Sequence, residues 1–274
     1  MCPGMEQPLH LVAGVAILAV VSVDFLLATI GAAPRVILSD RIARGVFALL
    51  RHITRHRPAR VLARISGVIV MCTVAGFWIL GTALGWTHVF LSAPRDAVVL
   101  TQSAAQAGFW DAAAHAGHLL STLGGAITRP GGTLWNAVEV LAGVNGMVVL
   151  TLAVSFILST VQTVQQGRSF AALLHSLPEG ADVTPLFGRL AEVVAGLNSA
   201  PFALYYSHGW PQRRLPEALV RMAREAMAQG PEAERRFWDL IADLPQFDLP
   251  EGTAARFAAL GDWAQRRRLG RLEA

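Results

Sequence analysis

The sequence predicts an all-α membrane protein: three transmembrane helices, a re-entrant helix and loop between the second and third, and a helical cytosolic tail. Three observations predict it. Of 274 residues, 53% are hydrophobic and only 15% are charged, which is too apolar for an ordinary soluble domain of this size. Three apolar runs each reach the roughly 20 residues needed to cross a hydrocarbon core about 30 Å thick. Finally, all 23 basic residues are arginine, and eight of them fall between the first two runs.

The first run, Leu11 to Ala33, contains one charge, Asp24. A secretory signal would have a basic start and a shorter apolar core, whereas Met1 to His10 carries Glu6 and no arginine, so the run is expected to be retained as a spanning helix. The second, Ile65 to Leu84, has no charge and ends at Trp86, an aromatic suited to the membrane interface. The third, Val140 to Val164, is also free of charge and lies between Trp135 and Arg168. Basic loops beside spans stay cytoplasmic. Arg35, Arg41, Arg44, Arg51, Arg55, Arg57, Arg60 and Arg64 therefore place the first loop inside, against only Arg95 and Arg129 in the second. The N-terminus is then outside and the C-terminus inside.

Inside the basic loop, Ile42, Val46, Leu49, Leu50 and Ile53 fall at helical spacing while the arginines take other positions, as in a helix lying on an anionic inner leaflet. A stop-transfer charge cluster with incidental periodicity is the alternative. Pro58 is expected to end this helix before the second span. On the outer side, Gly108 to Leu123 is too short and too mixed to cross, yet moderately apolar. Irregular backbone at membrane depth is tolerated only where protein buries it or water reaches it, so a glycine-rich turn there implies a pore or a packed vestibule. An outer surface helix and loop is the other reading.

Phe109-Trp110-Asp111-Ala112 opens a helical stretch that leads into Ser121-Thr122-Leu123-Gly124-Gly125, with the third span about ten residues on. This order resembles the pore loop of bacterial potassium-channel-like proteins. Those have an extra span before a two-span pore unit, an arginine-rich inner linker and a helical tail. LAGVNGMVVLTLAVSFILSTV looks like their inner helix, and PFALYYSHGWPQRRLPEAL resembles a stretch of their tail, so the likeness covers most of Leu11 to Leu219. The resemblance implies a homotetrameric cation channel of the bacterial inner membrane. Thr122, Leu123, Gly124, Gly125 and Ala126 would then form its selectivity filter, with potassium or another monovalent cation as permeant ion. The filter departs from the family pattern, because Ala126 stands where a second glycine is expected and Ile127 where an aspartate is expected. A side chain at the former costs about 1 to 2 kcal/mol in the left-handed conformation. Loss of the acid, with Arg129 close by, removes negative potential from the outer mouth. A non-conducting scaffold or sensor that keeps the channel fold is the alternative function.

In the third span, Gly143, Met147, Thr151, Ser155 and Ser159 recur every four residues, one stripe of small and weakly polar side chains. It reads as a pore-lining face with Gly143 or Gly146 as a bending point, or as a close-packing face. Gly81 and Gly85 form a GxxxG that reads as packing. Glu139, near the outer end, supports the loop, faces the outer vestibule with Arg129, or is a water-exposed carboxylate at the interface. Asp24 is expected to pair with a hydroxyl or with an arginine of the linker.

His115 and His118, and His52 and His56, are helically spaced pairs without a third ligand nearby, so no metal site and no cofactor is expected. Cys2 and Cys72 are too far apart in sequence and setting to suggest redox chemistry. No nucleophile-base or phosphate-loop motif is present, so no enzyme activity is expected. The excess positive charge belongs to one loop, since the tail balances thirteen arginines against thirteen acids; no nucleic-acid partner is expected.

Four regions result: residues 1–33, the terminal segment and first span; 34–60, the basic linker; 61–164, the pore module with its loop at 109–127; and 165–274, the tail. In the tail, Leu215 to Gln229, Glu232 to Leu244 and Thr253 to Arg268 are predicted helices, with Pro216 and Pro231 in first turns. Arg266-Arg267-Arg268 reads as a solvated or lipid-facing cluster.

Overall fold

The computed structural model describes residues 3–30, 38–54, 60–93, 96–102, 105–123, 127–208 and 210–269. In chain order these form α1 (Pro3–Ile30), α2 (Leu38–Thr54), α3 (Arg60–Leu91), β1 (Val99–Leu100), α4 (Phe109–Leu120), β2 (Thr128–Arg129), α5 (Thr133–Ser176), α6 (Phe187–Ser199), α7 (Leu215–Gln229), α8 (Pro231–Ile241) and α9 (Thr253–Arg266). The chain is an all-α protein in which α1, α3 and α5 are long and apolar enough to cross a membrane. All three helices are longer than the apolar runs that predicted them, with residues 31–33 of the first run outside the described residues. The 44 residues of α5 rise about 66 Å at 1.5 Å each, twice the depth of a hydrocarbon core. The predicted end of the basic-loop helix at Pro58 lies outside the described residues.

Two compact units divide the chain, Met1–Ala28 with Val74–Ser155 and Thr29–Thr73 with Phe156–Ala274. In the first, α1 and α3 meet where side chains are missing. A Cβ on Gly81 would lie 2.8 Å from Val21 and one on Gly85 2.7 Å from Leu18, so the GxxxG is a packing face. One turn deeper, the Trp78 indole donates to Asp24 Oδ2 at 2.9 Å, and Phe25 meets the same indole edge-on. An indole of α3 is thus one partner of the buried Asp24. Phe90, Ala97, Val98, Ala107, Ala112, Ala116 and Ala142 form a second cluster under the segment between α3 and α5.

The second unit has the larger core. Phe170, Ala171 and Leu174 on the last turns of α5 pack with Phe187, Leu190, Leu219, Met222, Phe237, Trp238, Leu260 and Trp263. α7 has the predicted limits, and Pro216 and Pro231 occupy first turns, where a missing N–H costs nothing. α8 ends at Ile241 and leaves Leu244 in a turn whose N–H bonds Ile241 O. α9 ends at Arg266, two residues before the predicted limit. Two of the three terminal arginines have protein partners. Arg267 lies 3.9 Å over the Trp263 ring, and Arg268 Nε bonds Glu217 Oε1 at 3.0 Å. α2 packs in this unit through Ala43, Phe47 and Leu50, with Phe47 against Tyr205.

Candidate functional site: the α4 turn

α4 is built to lie close to its neighbours. Its N-terminus is capped by Asp111, whose Oδ2 accepts the Gly108 N–H at 2.9 Å. Ala112, His115, Ala116 and Leu120 are buried at helical spacing, and the small alanines let the helix approach Phe90 and Ala142. At its far end a Cβ on Gly146 of α5 would lie 2.6 Å from Leu120 Cα, so glycine is what permits the α4–α5 contact.

The exit from α4 is a Schellman turn. Leu123 N–H bonds His118 O at 3.1 Å and Thr122 N–H bonds Leu119 O at 3.2 Å. Thr122 takes the left-handed position with φ 62°, which glycine usually fills. A β-branched residue there carries about 1 to 2 kcal/mol of strain. Beyond the turn, Thr122 and Leu123 are exposed, while Gly124, Gly125 and Ala126 lie outside the described residues.

The returning chain is held on both sides. Val99 pairs with Arg129 and Leu100 with Thr128 in a two-stranded antiparallel ladder, and Thr101 N–H donates to Ile127 O at 2.8 Å. Gly131 N–H extends the clasp to Asp96 O at 3.0 Å. His115 stands under it, 2% exposed. Its Nδ1 is 2.9 Å from Thr128 Oγ1, and its Nε2 is 2.7 Å from Glu139 Oε1. That second distance is too short without a proton between the atoms, although the angle is poor for a hydrogen bond. A proton on Nε2 of a neutral or charged imidazole facing a carboxylate, or on a Glu139 carboxylic acid facing a neutral imidazole, meets that need. One side chain of α4 thus ties the post-turn strand to α5. Phe90 closes on the His115 ring edge-on at 5.1 Å, and Trp86 Nε1–H donates to Asn145 Oδ1 at 2.9 Å.

Of the residues singled out from sequence, Glu139 joins this cluster, while Arg129 is exposed on β2. Met147, Thr151, Ser155 and Ser159 are exposed along α5, with Gly143 half-buried beside them. Sequence reasoning missed Thr128, β1 and the role of His115. His115 was noted only for its spacing from His118, and the signal that would have found it is its place on the alanine-lined buried face of α4.

No family model matches the chain, and no solved structure matches it. Over 172 residues, 61% of this chain, it is 28% identical to an uncharacterized membrane protein, YdjJ, of Bacillus subtilis (strain 168). The match covers 49% of that protein, so the chain spans about half the length of this curated relative. Together with the three long apolar helices, the likeness places the chain among membrane proteins.

Proposed function

We propose that this chain is one subunit of a potassium-channel-like cation channel of a bacterial inner membrane, with four copies around a central pore. In this reading α4 is a re-entrant pore helix, Thr122–Ala126 form the filter, and the arginine-rich loop and residues 165–274 are cytosolic. The observation that carries the reading is the exit from α4. Twelve residues rise only about 18 Å, too little to cross, and end in a tight turn at Thr122 that precedes Gly124 and Gly125 in sequence. The negative end of the helix dipole then favours a cation near the turn. Anchorage of the loop through His115, Thr128 and Glu139 supplies the rigidity a filter needs. Exposure of Met147, Thr151, Ser155 and Ser159 on α5 leaves that stripe open to water, lipid or a neighbouring copy, as a pore-lining face requires. The potassium or other monovalent cation would be the permeant ion, with no further cofactor and no catalytic step.

A second reading, a non-conducting scaffold or sensor, is favoured by the Ile127 carbonyl. It already accepts the Thr101 N–H, so it has less to offer a dehydrated cation. Reconstitution into liposomes with a potassium gradient separates the two. Flux from a verified tetramer supports the channel, and no flux across pH and voltage sinks it. Changing Ala126→Gly together with Ile127→Asp should raise potassium preference over sodium, and an unchanged permeability ratio would count against the filter alignment.

A further inference from the structure

A cavity of about 550 Å³ opens in the second unit between α2, the turn at Pro201–Tyr205 and the end of α9. Its wall carries Arg44, Arg51, Arg266 and Arg267 against two acids, Asp40 and Asp248. Asp40 is committed to Arg44, its Oδ2 lying 3.0 Å from Arg44 Nη2. The floor is apolar and aromatic, made by Phe47, Ala48, Pro201, Phe202 and Leu204 with Tyr205. Cationic rim and apolar floor together suit an amphiphile that bears an anion.

Arg267 sharpens the chemistry. Its guanidinium is stacked on Trp263 and donates to Trp263 O at 3.0 Å, Gln246 Oε1 at 3.1 Å and Pro245 O at 3.5 Å. All three acceptors are neutral, so a largely buried positive charge has no carboxylate bonded to it among the described residues. Burial is the main cause that pushes this group down to about 10, and the neighbouring Arg266 adds to it. A cation in that setting gains from an added anion. The carbonyls at the end of α9 would by themselves repel one. They are covered, because Arg51 Nη1–H donates to Arg266 O at 3.3 Å and Arg267 bonds Trp263 O.

α2 supplies the second, independent observation. Ala43, Phe47 and Leu50 are buried against its own unit, while Leu38, Leu49 and Ile53 are exposed on another face. Arg41, Arg44 and Arg51 occupy the sector between. A helix with an unburied apolar strip beside an arginine strip fits the plane of an anionic bilayer surface, with the cavity mouth at headgroup level.

We propose that this cavity binds the phosphate of an anionic lipid, with Arg51, Arg266 and Arg267 on the phosphate oxygens and the apolar remainder on the Phe47 and Phe202 floor. The site rests on α2 meeting the membrane surface and is independent of whether the protein conducts. The oxyanion chemistry is shared with free phosphate, and the test separates the two sources.

The full chain, purified in a neutral detergent, is titrated with dioctanoyl phosphatidylglycerol, dioctanoyl phosphatidylcholine and inorganic phosphate. Binding is read by calorimetry and by the thermal midpoint. Saturable binding and stabilisation are expected with phosphatidylglycerol and not with phosphatidylcholine. Arg51→Gln with Arg266→Gln should weaken the former by about tenfold or more, since charge-assisted contacts are lost. Both side chains are exposed, so the variant should fold, and an unchanged ligand-free midpoint verifies that. Arg189→Gln, on exposed α6 surface, should bind as the wild type does. Equal binding of the two lipids, an unaffected double variant, or equal weakening in the Arg189 variant would overturn the site. Inorganic phosphate binding as tightly as phosphatidylglycerol, with the same dependence on Arg51 and Arg266, would overturn the lipid as its source.

Discussion

Gly146 and Gly143 lie one turn apart on α5, and the structure assigns them opposite responses to the same added methyl group. At Gly146 a Cβ would sit 2.6 Å from Leu120 Cα and 3.0 Å from Leu120 O. Backbone atoms cannot rotate away, and ordinary contact begins near 3.4 Å, so α4 must retreat from α5 by about 0.8 Å. Overpacking of this kind costs about 1 to 3 kcal/mol, against a helix-propensity gain of about 1 kcal/mol for glycine to alanine. The net for Gly146→Ala is a loss of up to about 2 kcal/mol, a fall in midpoint of about 4 to 8 °C at the upper end for a protein of this size. At Gly143 the nearest atom is Leu119 O at 4.0 Å, so Gly143→Ala keeps the propensity gain and raises the midpoint by a few degrees. Thermal unfolding in one detergent compares the pair directly. Equal midpoints for the two variants would refute the α4–α5 contact. A bending role for Gly143 would instead show as unchanged stability with altered flux.

Trp78→Phe removes the indole donor from buried Asp24 and should destabilise by about 1 to 3 kcal/mol, with Asp24→Asn recovering part of the loss; equal stability of the single variants and the wild type in thermal unfolding would sink this. His208 accepts the Trp210 N–H on Nδ1 at 3.0 Å, and burial first, then the Arg168 charge, pushes its imidazole below the ordinary 6.5. Its folded value is depressed, so its stabilising share is present above pH 6.5 and lost as pH falls through the lower folded value. The midpoint should therefore drop on acidification more in the wild type than in His208→Gln, and parallel pH profiles would exclude the effect.

The spans were legible because their signals are local: run length, flanking tryptophans and the placement of arginine are read without knowing the partner. α4 and α7 were legible for similar reasons, one bounded by Gly108 and the Ser121-Thr122 turn, the other by Arg214-Leu215-Pro216 and Gly230. The second half of α5 was not. Past Arg168 the chain keeps the same helical spacing, but Phe170, Ala171 and Leu174 exchange lipid for protein partners, and a hydropathy reading stops at the first charge. The β1–β2 ladder is two residues long on each side, below the length at which alternation is a signal. His115 and Glu139 lie on different helices, so their contact exists only in three dimensions. Apolar periodicity marks His115 as buried but says nothing about which acid meets it.

Thr122 is the point where local preference and fold disagree most openly. Elsewhere among the described residues positive φ falls at Gly180, Gly230 and Gly252 and at the unbranched Gln246. At the end of α4 the chain puts a β-branched residue in that conformation, and both Schellman hydrogen bonds depend on it. Strain held in this way is retained only where the surroundings over-determine it, here by the Gly146 contact below and the β1–β2 clasp beyond. Two substitutions separate the backbone from the hydroxyl. Thr122→Ala removes the hydroxyl and keeps the strain, while Thr122→Gly removes both. Relief of about 1 kcal/mol should put the midpoint of the glycine variant about 2 to 4 °C above that of the alanine variant. A glycine variant no more stable than the alanine one would refute the left-handed turn. Equal loss of potassium flux in both, despite the difference in stability, would assign the hydroxyl to the permeant ion. Loss in the glycine variant alone would assign the strained backbone to it.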